Sequence, residues 1–247
     1  MIDRVFQYRK IADYTIESLI NETIYCNKVC ECNDPNDSLV LFDLETLTIE
    51  SLKEIRKRYG SGDYLNDEID IESIRELYKK NSVIFREIFR NWRISCFTTD
   101  YKNGPMWAMY GDNHRGICVE FDGKHEFFEY LREVQYVNKL YKMNLAVREG
   151  TSSEEIQSYK EDVDKFMFSK DEKWRYESEY RVIQPPREAF PWPISGGLRA
   201  IYFGNKVEEN KIAEIICRLK ECLPSIKYYK ETFNEDNQEI CFIEINS

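Results

Sequence analysis

The chain has no apolar stretch approaching the length of a membrane span, so no membrane-spanning helix is read from it. Met1 to Lys10 is polar, and no signal peptide is read there. There is no Walker loop, no dinucleotide-type glycine fingerprint and no Gly-x-Ser-x-Gly elbow, which argues against P-loop, Rossmann and serine-hydrolase chemistry. Histidine is nearly absent: only His114 and His125 occur, and there is no Cys-x-x-Cys pair. Cys26, Cys30 and Cys32 lack ligand spacing, so no metal is expected. No Pro-, Gly- or Ser-rich linker, internal repeat or low-complexity tract divides the sequence, which predicts a single domain over 1–247. Positive charge is in deficit, with 35 Lys and Arg against 45 Asp and Glu. The net charge of -10 disfavours non-specific nucleic-acid binding but leaves room for a local basic pocket.

What is present suits a globular chain. Hydrophobic residues make up 42% and aromatics 14% of its 247 residues, enough for a core of large side chains. With no leader or anchor read, the eight cysteines are expected as thiols in the cytoplasm. Thr15 is expected to cap a short helix carrying Ile16, Leu19 and Ile20. A strand is read at Ile24 to Cys26, and Asn33 to Ser38 is a dense turn signal. From 44 to 92 the apolar spacing is helical, predicting an inserted cover on a sheet. Strands are read at Arg93–Thr99, Gly116–Phe121, Glu133–Tyr136, Tyr180–Gln184, Arg199–Phe203, Ile226–Lys230 and Ile240–Ile245. Ser152 with Glu155 forms a capping box for a helix through Lys170, and Pro224 stops a helix over Glu208–Leu223. The pattern is α+β, with a mostly antiparallel central sheet.

Three segments concentrate polar residues that could carry chemistry. Tyr8-Arg9 offers a guanidinium suited to phosphate, or an ordinary surface charge. Ser95 to Gly116 gathers Trp107, Tyr110, His114 and Arg115 behind a strand, as core packing or as a stacking surface beside hydrogen-bonding groups. In Lys173 to Gln184, an extended run would put Glu177, Glu179 and Arg181 on one face. That face is either a solvated strand face or a catalytic carboxylate held by neighbouring charge. Asp122-Gly123-Lys124 loosely suggests a metal-dependent nuclease and is equally an ordinary turn.

Taken in order, Tyr8-Arg9, Asn33-Asp34-Pro35, Ser95-Cys96-Phe97, Met106-Trp107 with Tyr110, Asn113-His114-x-Gly116 and Trp174-x-x-Glu177-x-Glu179-Tyr180-Arg181 resemble the bacterial domain-of-unknown-function family 2971 over nearly the whole chain. The order Arg, Ser-bearing strand, Glu-x-Glu is also similar to the ADP-ribosyltransferase toxins. That resemblance implies an ADP-ribosyltransferase-like fold and NAD as substrate. Arg9 with Tyr8 would lie at the pyrophosphate, Ser95 or Thr98 at the nicotinamide ribose, and Trp107, Tyr110, His114 and Arg181 around the dinucleotide. Glu179 would be the catalytic carboxylate, and Glu177 would position the acceptor. The second motif reads SCFTT rather than Ser-Thr-Ser, and the 44–92 block lengthens the Arg-to-Ser spacing. The implied biology is a toxin or antiviral defence effector, with a nucleic-acid or protein acceptor and an antitoxin or regulatory protein as partner. The alternatives are a non-catalytic nucleotide- or protein-binding sensor module and the nuclease.

Overall fold

The computed structural model describes residues 2–37, 41–44, 48–50, 70–73, 75, 76, 79, 89–144, 153–184, 191–236 and 238–245. Most of the helical block expected over 44–92 lies outside these residues, as does Ser152. The chain is a mixed α/β protein whose sheet is mainly antiparallel. It divides into two compact units: 1–27 with 93–134 and 173–247, and 28–92 with 135–172.

The first unit is built on a sheet of β1 (Arg4–Arg9), β2 (Arg93–Thr98), β3 (Ile117–Asp122), β4 (Arg132–Glu133), β5 (Glu179–Gln184), β6 (Leu198–Phe203), β7 (Lys227–Asn234) and β8 (Glu239–Glu244). Their order across the sheet is β8-β7-β6-β3-β1-β2-β5-β4. Neighbours are antiparallel except β6 and β7, which run parallel. Parallel neighbours need a crossover, and helix α4 (Glu209–Lys220) supplies it. The described residues also include the helices α1 (Asp13–Ile20), α2 (Gly104–Met109) and, in the second unit, α3 (Ser153–Met167).

Period-two alternation sorts the side chains of the sheet onto two faces. On one, Val5, Phe97, Val119, Phe121, Val182, Ile201 and Phe203 form the main core with Ile16 and Leu19 of α1 and Ile212, Ile215 and Leu219 of α4. On the other, Phe6, Tyr8, Cys118 and Tyr202 pack with Met106 and Trp107 of α2. Arg4 closes this second cluster at one end. Its guanidinium donates to both carboxylate oxygens of Glu120 (2.7 and 2.8 Å) and to the Tyr202 hydroxyl (2.9 Å).

One joint in the sheet lies beside Arg9. β1 pairs with β3 along its whole length, from Arg4↔Asp122 to Arg9↔Ile117. It pairs with β2 only at Phe6↔Thr98. Beyond that point the Gln7 side chain replaces backbone pairing, and its Nε2 donates to the Cys96 carbonyl (3.0 Å) and to Ser95 Oγ (3.3 Å). β1 and β2 therefore part next to Arg9.

Local departures from the sequence reading have local causes. α1 starts at Asp13, with Ala12 extended at its N-cap, because Thr15 spends its hydroxyl on the Lys10 carbonyl (3.0 Å). α3 stops at Met167 rather than running to Lys170, since Ser169–Asp171 pairs as a strand with Gln135–Val137. That pairing belongs to the second unit, where Leu41–Asp43 also pairs in parallel with Lys142–Asn144. Lys170 and Asp37, both buried, lie 3.7 Å apart there. Among the described residues no helix is long and apolar enough to cross a membrane.

Candidate functional site

A cavity of about 800 Å³ opens in the first unit where β1 ends, lined among the described residues by Tyr8, Arg9 and Lys10, by Glu17 and Ser18 of α1, and by Tyr110 beyond α2. Arg9 is its most unusual group. Nε and Nη2 donate to Gln7 Oε1 (2.8 and 2.5 Å), and Nη1 donates to Ser18 Oγ (3.0 Å). Its guanidinium carbon lies 5.7 Å from the centre of the Phe121 ring. These partners are all neutral. Burial without a counter-charge pulls the Arg9 pKa down to about 10. The lining carboxylates, Glu17 and Asp112, are exposed and lie at the rim. The cavity thus holds a half-buried cation kept in place by neutral oxygens.

Gln7 ties this cation to the next strand. It accepts twice from Arg9 and donates to Ser95, so Arg9 and Ser95, both expected at a ligand, share one hydrogen-bonded network on one face of the sheet. Neither Gln7 nor Ser18 was singled out in the sequence. The sequence carries a signal for Gln7, because a residue two before Arg9 in a strand shares its face. Ser18 was not, because it depends on how α1 docks.

The remaining expected residues sit on the opposite face. Thr98 is buried, stands in register with Glu179, and accepts from the Asp100 N–H (3.1 Å), closing a turn. Glu179 and Arg181 are an internal pair on β5. Arg181 Nε donates to Glu179 Oε1 (2.7 Å) and Nη2 to Oε2 (3.0 Å), with 0% and 4% of the side chains exposed. Glu177 is not in the strand with them. It ends a 3-10 helix, Glu172–Glu177, and Ser178 follows at φ 45°, a left-handed kink that interrupts the alternation expected from an extended run. Buried Glu177 accepts from the Tyr110 hydroxyl (2.6 Å), and Tyr110 lines the cavity. Neither glutamate lines the cavity itself.

α2 owes its start to Asn103, whose side chain accepts from the Met106 N–H (3.1 Å), with Pro105 in the first turn. Asn103 Nδ2 also donates to the Tyr176 carbonyl (2.6 Å), anchoring α2 to the segment before β5. Trp107 is wholly buried, donates from its indole N–H to the Tyr101 carbonyl (2.9 Å) and packs edge-on to Tyr8. It is a core residue, not a ligand platform. Trp107→Phe leaves that carbonyl without its donor and should cost about 1–2 kcal/mol in urea unfolding. A cost near zero would mean the indole N–H contributes nothing.

After α2 the chain makes an unusual reversal. Asp112, Asn113 and His114 have φ of 50°, 52° and 64°, and these are residue types that tolerate the left-handed region best. The turn is held from outside: the Lys206 N–H donates to the His114 carbonyl (3.0 Å) and the Gly204 N–H to the Gly116 carbonyl (3.0 Å). A side chain at Gly204 would begin 2.3 Å from the His114 carbonyl, and one at Gly116 would begin 2.4 Å from the Arg9 carbonyl. His114 Nδ1 donates to buried Glu231 (2.8 Å), which also accepts from the Asn205 N–H (2.8 Å). His114 therefore pins the reversal to β7 and does not line the cavity. Tyr8, Arg9 and Tyr110 do, and Glu177 follows through Tyr110.

Residues 106–182 match a family described as a protein of unknown function (DUF2971). The match runs from α2 into β5 rather than over nearly the whole chain. It includes Trp107, Tyr110, His114, Glu177, Glu179 and Arg181 but leaves out β1 with Arg9 and the Ser95 strand. No curated protein and no solved structure matches the chain. The likeness to ADP-ribosyltransferases therefore rests on the residue pattern alone.

The turn after β3 is bound up locally. Asp122 accepts from the Lys124 N–H (3.1 Å) and from Arg199, and Lys124 pairs with Asp3 (2.8 Å). Among the described residues no group of three or more His, Cys, Asp or Glu is placed to hold a metal ion.

Proposed function

We propose that the chain binds NAD in the Arg9 cavity and transfers its ADP-ribosyl group. One observation carries this reading: a half-buried guanidinium, hydrogen-bonded only to neutral side-chain oxygens, lines a cavity on a strand next to the Ser95 strand, itself next to the Glu179 strand. A desolvated cation without a counter-charge gains most from a ligand that brings one. A pyrophosphate does so, and the planar guanidinium suits its oxygens.

In the reaction, the bond between ribose C1′ and the nicotinamide nitrogen breaks and neutral nicotinamide leaves with the bonding electrons. Positive charge builds at C1′. An acceptor oxygen or nitrogen then forms the new bond and releases its proton to a base. Arg9 holds the phosphates, and Glu177, with Tyr110 as its link to the cavity, orients the acceptor; Glu179, outside the cavity with both oxygens on Arg181, can stabilise the developing charge only if ligand binding draws it out of that pair. Such an activity harms its own cell unless restrained, which fits a toxin or defence effector with a regulatory partner.

A second reading, a nucleotide-binding module without turnover, is favoured by the pairing of Glu179 with Arg181, which occupies both oxygens of the proposed catalytic carboxylate. The two part on one assay. The purified chain is expected to release nicotinamide from NAD, with Glu179→Gln at least about a hundredfold slower. Binding of NAD with no release in wild type selects the module, and no binding at all removes both.

A further inference from the structure

Exposed large apolar side chains are few among the described residues, and three of them, Tyr14 (61%), Tyr25 (47%) and Met109 (51%), line the same cavity as Arg9. Surface aromatic groups gathered at the mouth of a polar pocket leave apolar area in water that a planar ligand would cover. Each is presented there by its element. Tyr14 lies in the first turn of α1, three residues before Glu17 and four before Ser18. Tyr25 follows the short strand Thr23–Ile24, between buried Ile24 and buried Cys26, so alternation turns it outward. The Lys10 ammonium lies 5.6 Å from the centre of the Tyr14 ring, which places that aromatic beside the basic edge of the cavity. The amide of Asn21 and the carboxylate of Glu17 line it too. The Asn21 amide can donate to and accept from the edge of a heterocycle, and the Glu17 carboxylate can accept from it.

We propose that Tyr14 and Tyr25 form a nucleobase subsite. The cavity thus takes a nucleoside diphosphate moiety, with the phosphates at Arg9 and the base against the tyrosines, rather than a phosphate or pyrophosphate alone. This rests on reading the cavity as a nucleotide site. The tyrosines belong to α1 and the segment after it, in a part of the chain outside the 106–182 match.

The test is calorimetry on the full chain with two probes, ADP and inorganic pyrophosphate, using wild type, Tyr14→Ala, Tyr25→Ala and Tyr25→Phe. Both positions are exposed, so the variants should fold. Wild type is expected to bind ADP about tenfold more tightly than pyrophosphate, since stacking a base on an aromatic side chain carries about that much. Each alanine variant should lose most of that advantage while pyrophosphate binding stays unchanged, and Tyr25→Phe should keep it. Equal binding of both probes in wild type, or alanine variants that weaken both probes alike, overturns the base subsite and leaves the Arg9 anion site standing. No binding of either probe removes the nucleotide reading and this inference with it.

Discussion

Arg9→Met is expected to weaken pyrophosphate and NAD binding by about a hundredfold or more, yet to leave the fold as stable as wild type or about 1–2 kcal/mol more stable. The two halves have one cause. Burial lowers the Arg9 pKa from its ordinary value to about 10, so at neutral pH the folded protein holds a charge that its surroundings disfavour. Methionine has similar reach and carries no charge, so it relieves that penalty. It forfeits the hydrogen bonds to Gln7 and Ser18: Gln7 stays held through its Nε2 at Ser95 and Cys96 while its Oε1 turns to water in the cavity, and Ser18 keeps the Thr23 carbonyl. The sign can be checked with pH. The folded pKa lies below the unfolded one, so above about pH 10 the unfolded chain binds the extra proton and this residue's contribution to wild-type stability should rise with pH. Arg9→Met should lack that rise. Urea unfolding with calorimetry reads both halves. A variant that binds like wild type removes Arg9 from the ligand, and one that unfolds far more easily makes Arg9 a structural residue.

A charged residue that costs stability is what a binding site looks like from the side of the fold, and it explains what the sequence could and could not disclose. The strands around Ser95, Cys118, Val182 and Ile201 were legible because apolar residues recur in short runs between turn signals. Helix α4 was legible from its apolar spacing and the proline beyond it. The motifs were legible as clusters of unusual residues. What each residue does was not, because that depends on strand order and face. Arg9 and Ser95 join through Gln7, a contact that exists only because β1 and β2 part after Phe6. Trp107 and His114 sit among polar neighbours in sequence but are spent on packing and on pinning a left-handed reversal. Glu177 and Glu179 are two apart, yet Ser178 breaks the alternation between them. Tyr14 and Tyr25 gave no signal at all, since an exposed tyrosine is unremarkable until a cavity is found beside it.

The Glu179–Arg181 pair decides whether the opposite face of the sheet is catalytic or structural. Arg181→Met is expected to lower unfolding free energy by about 3–5 kcal/mol, because it leaves a buried carboxylate without the cation that grips both its oxygens. Glu179→Gln keeps an acceptor oxygen and nearly the same shape, so its cost should be smaller, about 1–2 kcal/mol. Replacing both at once, Glu179→Leu with Arg181→Met, should recover part of the single-variant loss, since neither member of the pair is then left facing the gap of the other. Strict additivity in urea unfolding would mean that the two side chains do not compensate each other. The same variants separate the two functional readings. If Glu179→Gln unfolds close to wild type and still loses nicotinamide release, the carboxylate acts on substrate, and Arg181 is the group that holds it ready. If loss of activity instead follows loss of stability through Glu179→Gln and Arg181→Met alike, the pair is a buried strut, and the chemistry of this protein is confined to the face that carries Arg9.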